Sequence, residues 1–214
     1  MTHVKICGIK TFEQAAVSLE AGADYLGFIF YPPSHRYVKP VTVGEIVAAC
    51  RERFGGPERW SAVGVFVDVP LEEARQICAA ASVDLAQLCG AEDRDYAEHL
   101  GLPVVRVVHV DGTGAPSAST TASDHGAARI LLDTKADGRF GGTGQTYPWP
   151  AVSSFAADAF LAGGLTPDNV ALAIETARPW AVDVSTGVET DRTKDPALIR
   201  AFISEVRRVD HDRG

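Results

Sequence analysis

Short β-branched and apolar runs alternate along the whole chain with longer stretches in which apolar positions recur every three or four residues. The runs VKIC (4–7), YLGFIF (25–30), SAVGVFV (61–67) and LAQLC (85–89) predict strands. PVVRVVH (103–109), ARILLD (128–133), AFLAG (159–163) and AVDVS (181–185) continue the series. Between them lie helical patterns with recognisable ends. TFEQAAVSLEAG (11–22) opens on a threonine and stops on a glycine, and TVGEIVAACRERFGG (42–56) starts from a Thr42 cap. PLEEARQICAAAS (70–82), TPDNVALAIETARP (166–179) and DPALIRAFISEVRR (195–208) place proline at or near the start, with acids close by.

Strands separated by helices pair in parallel through right-handed crossovers. Eight such units in succession predict a single-domain (β/α)8 TIM barrel over residues 1–214, compact for that architecture. A doubly wound open sheet is the structural alternative, but no G-x-G-x-x-G follows the first strand. The fifth unit is degenerate: DGTGAPSASTTASDHG (111–126) predicts a loop with at most one helical turn.

Composition narrows the class. Hydrophobic residues are 46% and charged residues 22% of the 214, which fits a globular domain. No apolar run approaches the ~20 residues of a membrane span, and MTHVK leads into a strand without a signal-peptide pattern, so a cytoplasmic location is expected. A net charge of −8 disfavours nucleic acid and acidic membranes as partners. A small anion is still acceptable, provided that local positive groups receive it. Cys7, Cys50, Cys78 and Cys89 show neither C-x-x-C spacing nor a nearby His pair, so neither a disulfide framework nor a zinc site is expected.

In a barrel of this kind chemistry collects at the C-terminal strand ends. Cys7-Gly8 ends the first strand and Asp133-Thr134 the sixth. Gly163-Gly164 ends the seventh and Ser185-Thr186-Gly187 the eighth, which also carries Asp183. Arg36 lies on the loop YPPSHRY after strand 2. Taken alone, Cys7 reads as a small packing hydrophobe and Asp133 as a turn aspartate. The consecutive turns GGLTPDN and STGVE, however, offer backbone N–H groups and a helix start, a phosphate-binding arrangement common at these two loops. Lys5 shares strand parity with Cys7 and should also point inward. It can pair with Asp183, the reading preferred here, or pull down the Cys7 thiol.

These segments together resemble one family, phosphoribosylanthranilate isomerase of tryptophan biosynthesis. The resemblance runs from KICGIK through GADYLGFIFYPPSHRYV, LLDT, GGTG and AGGLTPDNV to DVSTGVE. It implies Cys7 as general base and Asp133 as general acid. It also implies Arg36 on the anthranilate carboxylate, Asp183 on the ribose hydroxyls, and backbone around Gly163, Gly164, Ser185, Thr186 and Gly187 on the phosphate. The partner is then a phosphorylated small molecule, and the enzyme a monomer or homodimer. The implied reaction is an Amadori rearrangement needing one acid and one base, with no cofactor.

The chain departs from the family at Cys89, where histidine is usual, and at Tyr147-Pro148, where Phe-Asp is usual. These positions bear on substrate placement near strand 4 and on the start of the sixth helix. Cys7 and Cys89 are expected to lie too far apart around the ring to share a metal. Two other readings compete. One is the related histidine-pathway isomerase, against which Cys7 in place of an aspartate counts. The other is a diverged barrel that binds a phosphorylated ligand without catalysis.

Overall fold

The alternation of strand and helix closes into a ring. The structure is a computed structural model and describes residues 1–134 and 146–213. Its strands β1 (His3–Cys7), β2 (Tyr25–Ile29), β3 (Ser61–Phe66), β4 (Leu85–Leu88), β5 (Val104–Val110), β6 (Arg129–Thr134), β7 (Phe160–Leu161) and β8 (Ala181–Val184) form a closed parallel barrel in chain order. β8 returns to β1 in the register Ala181↔His3 to Val184↔Ile6, which sets Asp183 directly beside Lys5.

The helices α1 (Phe12–Ala21), α2 (Pro40–Phe54), α3 (Leu71–Ala81), α4 (Arg94–His99), α5 (Val170–Ala177) and α6 (Pro196–Arg213) wrap the outside. α1 starts as its sequence predicts, with the Thr11 side chain accepting the Gln14 N–H, and stops at left-handed Gly22. α2 begins at Pro40, two residues before the expected Thr42 cap, because proline is preformed for a helix's first turn. α5 begins only at Val170. Ahead of it Asn169 Oδ1 accepts the Thr166 N–H and its Nδ2 donates to Gly164 O, holding 164–169 as a turn.

The fifth unit contains only the 3-10 turn Ala122–His125, as expected. The sixth is also without an α-helix among the described residues. It has the 3-10 turns Trp149–Val152, with Pro148 as its cap and Pro150 in its first turn, and Ala156–Asp158. α4, at six residues, is too short to show a period, and the sequence pattern does not predict it. A small antiparallel hairpin, β9 (Glu189–Thr190) with β10 (Thr193–Lys194), follows β8 and is likewise absent from the pattern.

Apolar burial falls in two layers. One lies between barrel and helices. The other fills the barrel itself, with Val105, Val107, Leu131, Phe160, Ala162 and Ala181. At the N-terminal end Trp180 stacks among His3, Tyr25 and Phe160, with the Arg129 guanidinium 3.7 Å over its ring. That cluster packs the N-terminal end of the barrel, opposite the C-terminal mouth. No helix of the described residues is long and apolar enough to cross a membrane.

Candidate active site

The mouth holds a cavity of about 330 Å³, and every residue expected to act on or bind the ligand lines it. Cys7, Arg36, Asp133, Asp183, Gly163, Gly164, Ser185, Thr186 and Gly187 come together there from five different βα units. The glycine-rich stretch expected after Asp133 lies mostly within 135–145, outside the described residues.

Cys7 is 5% exposed. Burial pushes its thiol above the ordinary value; Lys5 pulls it down, Asp183 pushes it up and Lys194 pulls it down, and burial prevails. Gly27, its register partner on β2, leaves the space for this: a Cβ there would lie 2.9 Å from Cys7 Sγ and 3.2 Å from Lys5 Nζ. Lys5 is 1% exposed and donates to Asp183 Oδ1 at 2.9 Å, so the preferred pairing is present. Burial alone would lower the Lys5 ammonium, but Asp183 and then Cys7 raise it, and it stays charged.

Asp133 is pushed up to about 6, first by burial and then by Asp183, against a bond from the Thr134 N–H to its own Oδ1 at 2.8 Å. A carboxyl ordinarily found near 4 is thereby brought close to neutrality. Cys89, the first departure, faces the same cavity, with its thiol pushed up to about 12 by burial and so protonated. Cys7 lines the same cavity, and among the described residues no three His, Cys, Asp or Glu side chains are grouped as a metal ion would need. Tyr147, the second departure, is 3% exposed and packs behind Gly163, its hydroxyl donating to Leu132 O at 3.4 Å. There it supports the strand of Asp133, and it does not line the cavity.

Two polar residues that face the cavity from the barrel strands were not singled out from the sequence. Gln87 precedes Cys89 by one inward position, and His109 sits beside Asp133 in register. Inward parity along LAQLC and VVRVVH was the available signal. Gln87 Nε2 donates to Cys89 Sγ at 3.4 Å, while its Oε1 is buried without a hydrogen-bond partner among the described residues. Arg36 reaches the mouth because Gly8, at φ +86°, has no side chain: a Cβ there would lie 2.6 Å from Arg36 Cδ. Its guanidinium is not free for a ligand on all sides, since Nε and Nη2 each donate to Glu189 at 2.7 Å.

The turns after β7 and β8 meet backbone to backbone. Gly163 and Gly164 have φ of +90° and +66°, and a Cβ on Gly187 would sit 1.8 Å from Leu165 O. Gly187→Ala is therefore expected to force the two turns apart. It should cost roughly 1–3 kcal/mol of stability and weaken inorganic phosphate binding, as read by thermal melting and by titration with phosphate.

Residues 4–205 match the family described as N-(5'phosphoribosyl)anthranilate (PRA) isomerase. The chain belongs to this family. Its relatives of the same name include those of Moorella thermoacetica, 38% identical over 98% of this chain and 92% of that one, and of Desulforudis audaxviator, 40% identical over 98% and 100%. Among solved structures, the Thermus thermophilus phosphoribosyl anthranilate isomerase superposes with a TM-score of 0.83 at 32% identity, covering 97% of this chain and 100% of that one. A second isomerase structure, in complex with reduced 1-(o-carboxyphenylamino)-1-deoxyribulose 5-phosphate, gives 0.76 at 32% identity over 97% and 100%. The fold of this family is thus the barrel expected from the sequence, and the departures at Cys89 and Tyr147-Pro148 leave it intact.

Proposed function

We propose that this mouth converts N-(5-phosphoribosyl)anthranilate to 1-(2-carboxyphenylamino)-1-deoxyribulose 5-phosphate, with Cys7 as general base and Asp133 as general acid. The chain then serves tryptophan biosynthesis as one barrel domain, and its four free thiols suit the reducing cytoplasm. One observation carries the reading. Going round the ring, β6 presents Asp133, β7 and β8 present the glycine turns, and β1 presents Cys7. A phosphate held on the two middle strands puts its own sugar between an acid on one side and a base on the other.

The chemistry follows from that order. Asp133 gives its proton to the furanose oxygen as the C1′–O bond breaks, and the nitrogen lone pair forms the C1′=N bond of a Schiff base. Cys7 thiolate then takes the C2′ proton, and the C–H electron pair forms C1′=C2′ while the C=N pair returns to nitrogen. The resulting enol becomes the ketone when its hydroxyl proton leaves and C1′ gains one. C2′ is oxidised and C1′ reduced by the same electron pair and no atom is lost, so no outside oxidant or reductant is needed and acid and base suffice. Arg36 receives the anthranilate carboxylate, Asp183 the ribose hydroxyls, and the N–H groups around Gly163, Gly164, Ser185, Thr186 and Gly187 the phosphate.

The test is the loss of anthranilate fluorescence on substrate generated in situ. Turnover is expected with this substrate and not with the histidine-pathway aminoimidazole aldose. Turnover of the latter alone would transfer the site to that other isomerisation. No turnover of either, with the reduced product still binding, would make the barrel a ligand-binding protein.

A further inference from the structure

We infer that Glu189 is a positioning residue that fixes Arg36 for a ligand carboxylate and ties it to the strand bearing Cys7. The inference rests on the proposed role of Arg36. Glu189 grips the guanidinium side-on, Oε1 to Nε and Oε2 to Nη2, both at 2.7 Å, while Nη2 also donates to Thr186 Oγ1 at 3.0 Å. Among the described residues Nη1 is left without a protein acceptor, on a side chain that lines the cavity. The guanidinium is thus offered end-on, in one orientation.

The same carboxylate accepts from Lys194 Nζ at 2.5 Å. Lys194 donates also to Ser185 O at 3.0 Å, and Ser185 Oγ donates to Cys7 O at 3.0 Å. A continuous chain therefore runs from Arg36 through Glu189, Lys194 and Ser185 to the backbone of the proposed base. Its ionic side chains are 11%, 4% and 1% exposed for Arg36, Glu189 and Lys194. Burial opposes the Glu189 charge, yet its bonds to Arg36 and Lys194 hold it down at about 2, so it stays ionised. Two cations and one anion leave the cluster with one unit of positive charge, the local source that an anionic ligand needs in a chain of net charge −8.

A brace for the hairpin alone would need the pairing of Glu189 with Lys194 and not its bidentate hold on Arg36. The hairpin is also held at some conformational cost, since its turn residues Asp191 and Arg192 have φ of +51° and +63°. Gly8 adds an independent sign, because the close passage of the Arg36 stem across β1 requires a residue without a Cβ.

The double variant Glu189→Gln/Lys194→Met separates orientation from charge, because it removes one anion and one cation and keeps the cluster at plus one. Binding of the reduced product is compared with binding of its phenyl counterpart, which lacks the carboxylate. Loss of orientation should weaken the carboxylated ligand by about 10–100-fold, the scale of hydrogen bonds to a charged group, and leave the phenyl ligand nearly unmoved. KM should rise more than kcat falls. Glu189→Asp, which keeps the charge on a shorter arm, should show an intermediate loss and remains readable if the double variant does not fold. Unchanged discrimination between the two ligands in a folded variant would overturn the role of Glu189. Arg36→Met is the control: if it too keeps the discrimination, the carboxylate is bound elsewhere, and both the Arg36 reading and this inference fall.

Discussion

Cys7→Ala and Asp133→Asn are each expected to lower kcat by about 10²–10⁴-fold, with little change in binding of the reduced product. Cys7 is nearly enclosed, and alanine removes the sulfur without adding bulk; Asn keeps the Asp133 shape without its proton. Both proteins should therefore fold, and the loss should appear in turnover alone. A Cys7→Ala enzyme within tenfold of wild type would assign C2′ deprotonation to another group at the mouth.

The pH profile distinguishes these roles more sharply than the size of the loss. The proposed roles need Asp133 protonated and Cys7 ionised, although Asp133 titrates at about 6 and the Cys7 thiol lies above its ordinary value. The more acidic group must hold its proton while the less acidic one has lost it. Below pH 6 Asp133 is protonated and activity climbs with the thiolate, tenfold per unit. Between the two midpoints the gain in thiolate and the loss of protonated Asp133 cancel, giving a plateau. Above the thiol midpoint activity falls. The break near pH 6 should vanish in Asp133→Asn, whose residual rate keeps climbing with the thiolate. That control is needed because a phosphate monoester also titrates near pH 6. A break that survives in Asp133→Asn belongs to the ligand.

At pH 7 a carboxyl titrating at about 6 is protonated roughly one time in ten, against about one in a thousand for an ordinary aspartate. Burial and the neighbouring Asp183 thus raise the protonated fraction of Asp133 at pH 7 by about two decades before a ligand arrives. A bound phosphorylated ligand carries negative charge and raises Asp133 further. It also raises Cys7, which the base cannot use. Cations beside Cys7 are the counterweight, and Lys5 and Lys194 occupy that place.

Much of this was legible in the sequence, for physical reasons that also mark where legibility ends. Eight strands could be read because β-branched runs bounded by glycine and proline are local signals, and the fold rule then sent Cys7, Asp133, Asp183 and the two glycine turns to one mouth. The Lys5–Asp183 pair followed from strand parity together with the closure that sets β8 beside β1. The hairpin was not legible: its strands are two residues each, and its turn is Asp191-Arg192 where a hairpin signal would be Asn-Gly or Asp-Gly. Glu189 and Lys194 were missed with it. The partner of Arg36 could not be read either, since that pair joins the loop after β2 to the chain after β8 and depends on ring closure. α4 is too short for periodicity. In the sixth unit Pro148 and Pro150 remove backbone donors within three residues of each other, a local signal that by itself argues against a helix there.

Lys5→Met is expected to produce the largest loss of stability, about 3–5 kcal/mol. The lysine lies inside the barrel, 2.9 Å from Asp183, with both side chains under a tenth exposed. Removing the cation leaves a buried carboxylate without its counter-charge, which costs far more than the pair itself contributes. Because folding raises the Lys5 ammonium, its contribution is complete below the ordinary lysine value and is lost only as pH rises through the higher folded value. The deficit in urea unfolding should accordingly be the same at pH 7 and pH 9. Lys5→Met/Asp183→Asn, which removes both charges, should recover most of it. The recovery will not extend to chemistry. Lys5 lowers the Cys7 thiol by more than Asp183 raises it, so the thiol of the double variant should titrate above that of wild type. Asp133, relieved of Asp183, should titrate below 6 and carry its proton less often. A stable double variant with the Cys7 midpoint above and the Asp133 midpoint below wild type would show that the buried pair sets both; a slow rate alone would not, because Asp183 is also proposed to receive the ribose hydroxyls. A Cys7 midpoint unmoved in Lys5→Met would leave Lys5 with its structural role alone.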